Sequence, residues 1–518
     1  MDGARMEFVL RFLLAHGRLA MPHRFNRRLL LTGIAGLTSF AAIPAFAQTR
    51  AAQQVNGPGN LTAGNAPLAR RLAGYAESIR FADLDAPTIE RAKIHLLDSL
   101  GCGLSAFAEE TVASVRKLAL AAGGNAATII GTKQRTTLEW AAFTNGAAIR
   151  ADDINDGYSG GNGHPSDNIA ACLPVAEAEG ASGADLLLSM VLPYEIQCRL
   201  LDARRAGEED WDHPNYALAA SALAAGKLMK LSAPQLNEAI SLALTGHLSM
   251  RQTRLGELSN WKGLAGPDAA RNSVFAAQLA RAGISGPTPI FEGDAGFFRL
   301  VSGPMNVDTG AFGGRAGRFR IHDCFIKSYP AQGQTQTAVP AAAKIAQAVG
   351  DLSRIRSIEI RTTRLGWYNA GRTPDRFAPE TSETADHSLP YIVARAMVDG
   401  TITPASYAPE VLHDPRVVAL LKVTTVREDP MLTALTPRQS PNIVTVTLDG
   451  GAVVSERVDD LPGFAGRPMQ RADVEDKVRR ITRSIVTDAQ IARIAQVVWD
   501  LDRNSSVRAL IDSLAILA

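Results

Sequence analysis

Between Leu68 and about Gly317, apolar residues recur at three- and four-residue intervals, the spacing that gathers them on one face of a helix. LARRLAGYAESIRF and PTIERAKIHLLDSLGCGLSAF show it first, and similar runs follow at 168–180, 184–200, 216–230, 234–248 and 267–283. Loops with Gly, Pro, Asp or Ser separate many of them. The texture changes near 318. RIRSIEIRTTR (354–364) alternates apolar and polar residues as a half-buried strand does, and NIVTVTLDGGAVVSERVD (442–459) reads as two strands about an Asp449-Gly450-Gly451 turn. Helical stretches are expected at 336–349, 387–399 and 405–412. After Gly466-Arg467-Pro468 the pattern is helical again, from Asp473 through Leu517. The expected fold is therefore mainly α. A large helical domain (67–320) is interrupted by a smaller α/β insertion (321–468) and completed by returning C-terminal helices (469–518).

Ahead of this body lies a different pattern. From Met21, which reads as an alternative start, come Arg24, Arg27 and Arg28, an apolar run from Leu29 to about Ile43, and then Ala45-Phe46-Ala47. Basic, apolar and small-x-small segments in that order form a cleaved export signal, and the Arg27-Arg28 pair resembles a twin-arginine leader. Residues 1–47 are read as that signal, which implies a periplasmic protein with no membrane attachment after cleavage; an uncleaved anchor is the alternative. Residues 48–66 are polar and small, a flexible lead-in.

Composition narrows the class. The chain has 518 residues, which at about 150 per domain suggests two or three domains. Its 54 basic and 52 acidic residues nearly balance, so a nucleic-acid partner is not expected. A mean hydropathy of −0.01 argues against a multi-span membrane protein. Cys102, Cys172, Cys198 and Cys324 are far apart in sequence and supply no zinc or iron–sulfur ligand set. Buried thiols are the favoured reading; one or two disulfides are the alternative.

The candidate chemistry lies in a few short segments. Asp152-Asp153-Ile154-Asn155-Asp156-Gly157-Tyr158 precedes a glycine-rich loop and Gly163-His164-Pro165-Ser166-Asp167-Asn168. Acids beside a histidine suit general acid/base work, although a solvated turn or a cation site would use the same residues. His213 opens an alanine-rich helix, Lys262 follows Trp261, and Lys327 opens KSYPAQ where the helical pattern ends. Each of these alone is as readily structural. No G-x-S-x-G elbow, phosphate loop, dinucleotide fingerprint or H-E-x-x-H occurs.

Taken in order, DSLGCGLSA (98–106), ADDIND…GHPSDN (151–168), KSYPAQ (327–332) and ETADHSLPYIVARAMVDG (383–400) resemble the 2-methylcitrate dehydratase/cis-aconitate decarboxylase family, MmgE/PrpD. The resemblance runs from about 67 to the C-terminus. It implies a helical domain, an α/β lid, a homodimer, and dehydration or decarboxylation of small polycarboxylates without metal or other cofactor. It implies catalytic roles for Asp153, His164, His213, Lys262, Lys327 and Tyr391. Lys262, Lys327, Asp156 and Gln332 are the implied substrate contacts. Three positions depart from the pattern: Gly157 stands where many members have threonine, Gln332 where the decarboxylase branch has histidine, and Arg467 where a histidine is common. Export is a fourth departure. The expected activity is a hydro-lyase acting on 2-methylcitrate or a similar hydroxy-carboxylate. The alternatives are a decarboxylase, an isomerase or epimerase, or an exported carboxylate-binding protein.

Overall fold

Several helices start where a short polar side chain caps them. Asp85 accepts from the Thr88 N–H to open α2 (Ala86–Ser105), and Ser182 with Asp185 forms a reciprocal capping box at α6 (Gly183–Ala203). The computed structural model describes residues 66–517 apart from 159, 162, 205–210, 437 and 465. The chain divides into two units, Met1–Leu61 and Thr62–Ala518, and the described residues all belong to the second. The export signal at 1–47 and nearly all of the lead-in lie outside the described residues.

The molecule is mainly α. Before α2 comes α1 (Leu68–Ser78), and α3 (Glu110–Ala122) and α4 (Leu138–Arg150) follow it, with a two-residue hairpin of β1 (Ala127–Thr128) and β2 (Arg135–Thr136) between those two. Next are α5 (Ile169–Ala178), α6, α7 (Pro214–Leu228), α8 (Ala233–Gly246) and α9 (Trp261–Arg281). Helix α7, PNYALAASALAAGKL, is buried almost throughout; its alanines let α6, α8 and α9 approach it closely. Helix α9 begins at Trp261, earlier than the periodicity suggests, and carries Pro267 inside it.

One hydrophobic core spans residues from Leu68 to Ile326 and resumes from Met469 to Leu514. Helices α12 (Arg471–Thr482), α13 (Asp488–Trp499) and α14 (Arg508–Ser513) supply the closing part, broken by turns rather than continuous. Helix α12 packs on α2, where Lys477 Nζ meets the buried Asp98 carboxylate and donates to the Ile154 carbonyl at 2.7 Å.

A separate core gathers residues from Ala331 to Leu448. Its sheet has the order β6-β5-β7-β8, built from β5 (Ile355–Thr362), β6 (Thr424–Glu428), β7 (Asn442–Leu448) and β8 (Val453–Val458). Strand β6 runs parallel to β5 and the other pairs are antiparallel, with Ile358 opposite Val446. Helices α10 (Ala338–Val349) and α11 (Leu389–Asp399) pack together, and α10 also lies against β7 and β8. Outside this sheet, β3 (Asp156–Tyr158) pairs antiparallel with β4 (Cys324–Ile326), tying the loop after α4 to the chain just before Lys327. All four cysteines are buried free thiols. Among the described residues, no helix is long and apolar enough to cross a membrane.

Candidate active site

Helix α4 ends in the buried Arg150, whose guanidinium turns back on the following loop. It donates to Asp153 at 2.7 Å and to the Asn155 side-chain oxygen at 2.9 Å. Asp153 sits in the left-handed region at φ +47°, a conformation that costs about 1–3 kcal/mol and persists where surroundings over-determine it. Here they do: Lys327 donates to the Asp153 carbonyl at 2.7 Å and to its carboxylate at 2.8 Å, and Lys262 lies 3.8 Å from the same carboxylate. Burial alone would raise the Asp153 carboxyl, but Lys262, Lys327 and Arg150 hold it well below the usual carboxylate range. Burial pushes the Lys327 ammonium down to about 8 despite Asp153.

Asp153, His164, His213, Lys327 and Gln332 line one cleft. His164 Nδ1 is 2.7 Å from the Asp156 carbonyl; a carbonyl only accepts, so Nδ1 carries the proton and Nε2 keeps its lone pair. The histidine is thus oriented by the backbone of Asp156 and not by a neighbouring carboxylate. Burial and the charges of Arg150 and Lys327 hold its pKa well below the ordinary imidazole value. The His213 ring centroid is 5.3 Å from that of His164. Arg254, fixed by both oxygens of Asp212, approaches His213 Nε2 at 3.2 Å and can only donate. His213 therefore holds its proton on Nδ1, which is buried and has no hydrogen-bond partner among the described residues.

The α/β segment also contributes Asn369, Arg376 and His387 to the lining of this cleft. Asp386 joins the two halves, accepting from Lys262 Nζ at 2.8 Å and from His387 Nδ1. Burial and the neighbouring Lys262 depress the His387 imidazole to about 4. Burial would raise the Asp386 carboxyl, but Lys262 and His387 hold it below its usual value. Arg251, Arg254 and Arg376 also line the cleft, so among the described residues its charged lining is four cationic side chains against the single carboxylate of Asp153.

Three expected site residues stand elsewhere. Tyr391 is fully buried in the second core, its hydroxyl donating to the Ser406 carbonyl at 2.7 Å, so it presents no group to the cleft. Asp156 is also fully buried, holding the glycine loop through the Ser166 N–H at 2.9 Å and the Tyr194 hydroxyl at 2.7 Å. Lys262 lies behind the cleft wall, bridging Asp386 to Asp153. Gln332 does line the cleft, but its side chain is spent locally: Oε1 caps the Gln334 N–H at 2.8 Å and its amide donates to Gln334.

Arg150, Arg254, Arg376, Asp386 and His387 were not singled out from sequence. His387 lies within the ETADHS motif, where a histidine after an acid was the available signal; the arginines carried none. The missing threonine at 157 also has a physical reason. A Cβ there would stand 2.6 Å from the Phe325 ring, which occupies that space and stacks on Phe464 at a centroid distance of 5.0 Å.

Asp153, Asp386 and His387 bring metal-ligand atoms within 4.8 Å of one another, the one such grouping among the described residues. The ammonium groups of Lys262 and Lys327 already neutralise these carboxylates at 2.8 Å, so the donor set fits amines better than a cation.

Residues 70–309 match the MmgE/PrpD N-terminal domain and residues 329–501 the MmgE/PrpD C-terminal domain. Among similar proteins, the 2-methylcitrate dehydratase of Cupriavidus necator is 30% identical over 414 residues, covering 74% of this chain and 83% of that protein. The 2-methylcitrate dehydratase of Salmonella typhimurium is 30% identical over 73% of this chain and 82% of its own length. The cis-aconitate decarboxylase of Mus musculus is 25% identical over 83% of this chain and 90% of its own. With both family domains in order along a chain whose fold and cleft are assembled from them, the protein belongs to the MmgE/PrpD family.

Proposed function

We propose that the protein is a hydro-lyase of the 2-methylcitrate dehydratase type, removing water from a small hydroxy-polycarboxylate. The observation that carries this reading is one cleft lined by Lys327, Arg251, Arg254 and Arg376 together with imidazoles held neutral. Elimination takes a proton from the carbon beside a carboxylate and returns one to the departing hydroxyl. Charge builds on that carboxylate, and cations already in position stabilise it without reorganising. Bound carboxylates also offset the Arg150 and Lys327 charges that keep His164 neutral, raising its proton affinity. His164 then donates through Nε2 to the departing hydroxyl, with His213 beside it. One positioned acid or base of this kind contributes roughly 10²- to 10⁴-fold.

A decarboxylase is the second reading, because cis-aconitate decarboxylases are among the similar proteins. Gln332 weighs against it: an amide already bonded to Gln334 cannot protonate a carbanion. The proposal carries with it export through the twin-arginine-like leader, a homodimer, an α/β segment serving as lid, and turnover without metal.

The test is incubation of the protein beginning at Gln48 with 2-methylcitrate, citrate and cis-aconitate, with and without EDTA. Alkene absorbance and product mass are followed. EDTA-insensitive alkene formation from 2-methylcitrate is expected. Carbon dioxide release from cis-aconitate would favour the decarboxylase, and binding without turnover of any of the three would favour a carboxylate-binding protein.

A further inference from the structure

The turn between the short helix Ser382–Ala385 and α11 carries a paired acid and histidine, Asp386 and His387, separate from His164 and His213. We propose that His387, carried by Asp386, is the base that takes the carbon-bound proton, in the same cleft that His164 lines. The inference rests on the hydro-lyase reading.

The geometry leaves His387 one role of this kind. Asp386 accepts His387 Nδ1–H on one oxygen and Lys262 Nζ on the other at 2.8 Å, so its carboxylate is ionised and fixed at both ends. The proton of the neutral imidazole is thereby assigned to Nδ1. Its Nε2 lone pair has no partner among the described residues, while the ring lines the same cleft as His164 and Lys327. Ser388 locks the turn by capping α11 at the Tyr391 N–H and donating to the Arg376 carbonyl. A carboxylate behind an imidazole stabilises the imidazolium that forms when Nε2 takes a proton. His164 lacks that support: its Nδ1–H meets a neutral carbonyl and its neighbours Arg150 and Lys327 are positive, which suits an acid rather than a base.

The step balances once solvent is counted. The His387 Nε2 lone pair forms the N–H bond and the C–H pair becomes the new π bond. The C–O pair leaves on oxygen, which takes the Nε2 proton that His164 gained from solvent when bound carboxylates offset Arg150 and Lys327, and water departs; His387 then returns its own proton to solvent. The α/β segment thus supplies the base and the helical body the acid.

The experiment compares wild type, His387→Gln and His387→Ala, with Asp386→Asn as the positioning variant. It measures turnover of 2-methylcitrate, rescue by added imidazole, and the affinity of tricarballylate, an unreactive tricarboxylate without the hydroxyl. We expect kcat to fall roughly 10²- to 10⁴-fold in both His387 variants. Tricarballylate affinity should stay within about threefold, since a neutral imidazole is not a carboxylate receptor, and imidazole should restore part of the Ala variant's activity. Asp386→Asn should lower kcat and move the acid limb of the pH–rate profile, which loss of a merely structural contact would not do. Turnover within about threefold of wild type in a folded His387→Gln variant overturns the proposal and leaves the hydro-lyase reading standing. If wild type itself turns over none of the hydroxy-polycarboxylates, that reading fails. The dyad is then judged by nitrogen NMR of wild-type histidines: a shift of the His387 Nε2 resonance on adding tricarballylate supports it, and no shift overturns it.

Discussion

Lys327 Nζ grips Asp153 at two points, the carboxylate at 2.8 Å and the main-chain carbonyl at 2.7 Å, and so fixes a left-handed aspartate against the end of β4. Both side chains are 1% exposed. Asp153→Asn would leave the Lys327 ammonium and the Arg150 guanidinium buried beside a neutral amide. Breaking one side of a buried pair costs about 3–5 kcal/mol. We expect a loss of that order in chemical denaturation at pH 7, with activity lost at any temperature.

The same lysine sets a pH dependence. With the Lys327 pKa pushed down to about 8 by burial, the ammonium is present below that pH and lost above it. Affinity for tricarballylate should therefore weaken as pH rises through about 8. Calorimetric titrations between pH 6.5 and 9.5 would show the inflection, and Lys327→Met should bind weakly throughout with no inflection there.

His164 is only partly enclosed, and among the described residues its ring makes one hydrogen bond, to the Asp156 carbonyl. Removing it should spare the fold and harm the chemistry. His164→Ala is expected to lower kcat by roughly 10²- to 10⁴-fold, while the midpoint of thermal unfolding stays close to wild type. Wild-type-like turnover in the folded variant would sink the assignment.

Gly157 and Phe325 are a matched pair across the β3–β4 ladder. Gly157→Ala would overpack the Phe325 ring, a clash of 2.6 Å before relaxation, for which about 1–3 kcal/mol is typical. Phe325→Leu should relieve part of that cost in the double variant, so the two substitutions should be non-additive in a double-mutant cycle.

Tyr391→Phe removes the hydroxyl that meets the Ser406 carbonyl inside the second core. The expected result is about 1–2 kcal/mol of destabilisation with kcat unchanged. A large loss of kcat without loss of stability would return Tyr391 to the chemistry.

The helical character of the body was legible because long amphipathic runs repeat their spacing many times, and β5, β7 and β8 because they alternate over five or six positions. Strands β3 and β4 were not, since three residues carry no period and their pairing joins Asp156 to Ile326. Helix α9 was clipped at Pro267, which reads as a boundary although the helix runs through it. In the cleft, motif order singled out His164, His213 and Lys327. The same evidence also nominated Tyr391, since a motif marks which residues recur together and not which way a side chain points. Arg254 illustrates the converse. An exposed-looking arginine in a polar stretch acquires meaning only when Asp212 and His213 fold against it.

Lys477 is among the last tenth of the chain to be synthesised, yet it neutralises Asp98 and holds the carbonyl of Ile154, next to Asp153. Burial pushes the Asp98 carboxyl up to about 6 even with Lys477 beside it. A nascent polypeptide that has not yet exposed Lys477 lacks this clamp on the loop that carries Asp153, and has Arg150 and Lys327 to hold it. Stalled chains ending before residue 470 should remain protease-sensitive around 151–156, and full-length released chains should not.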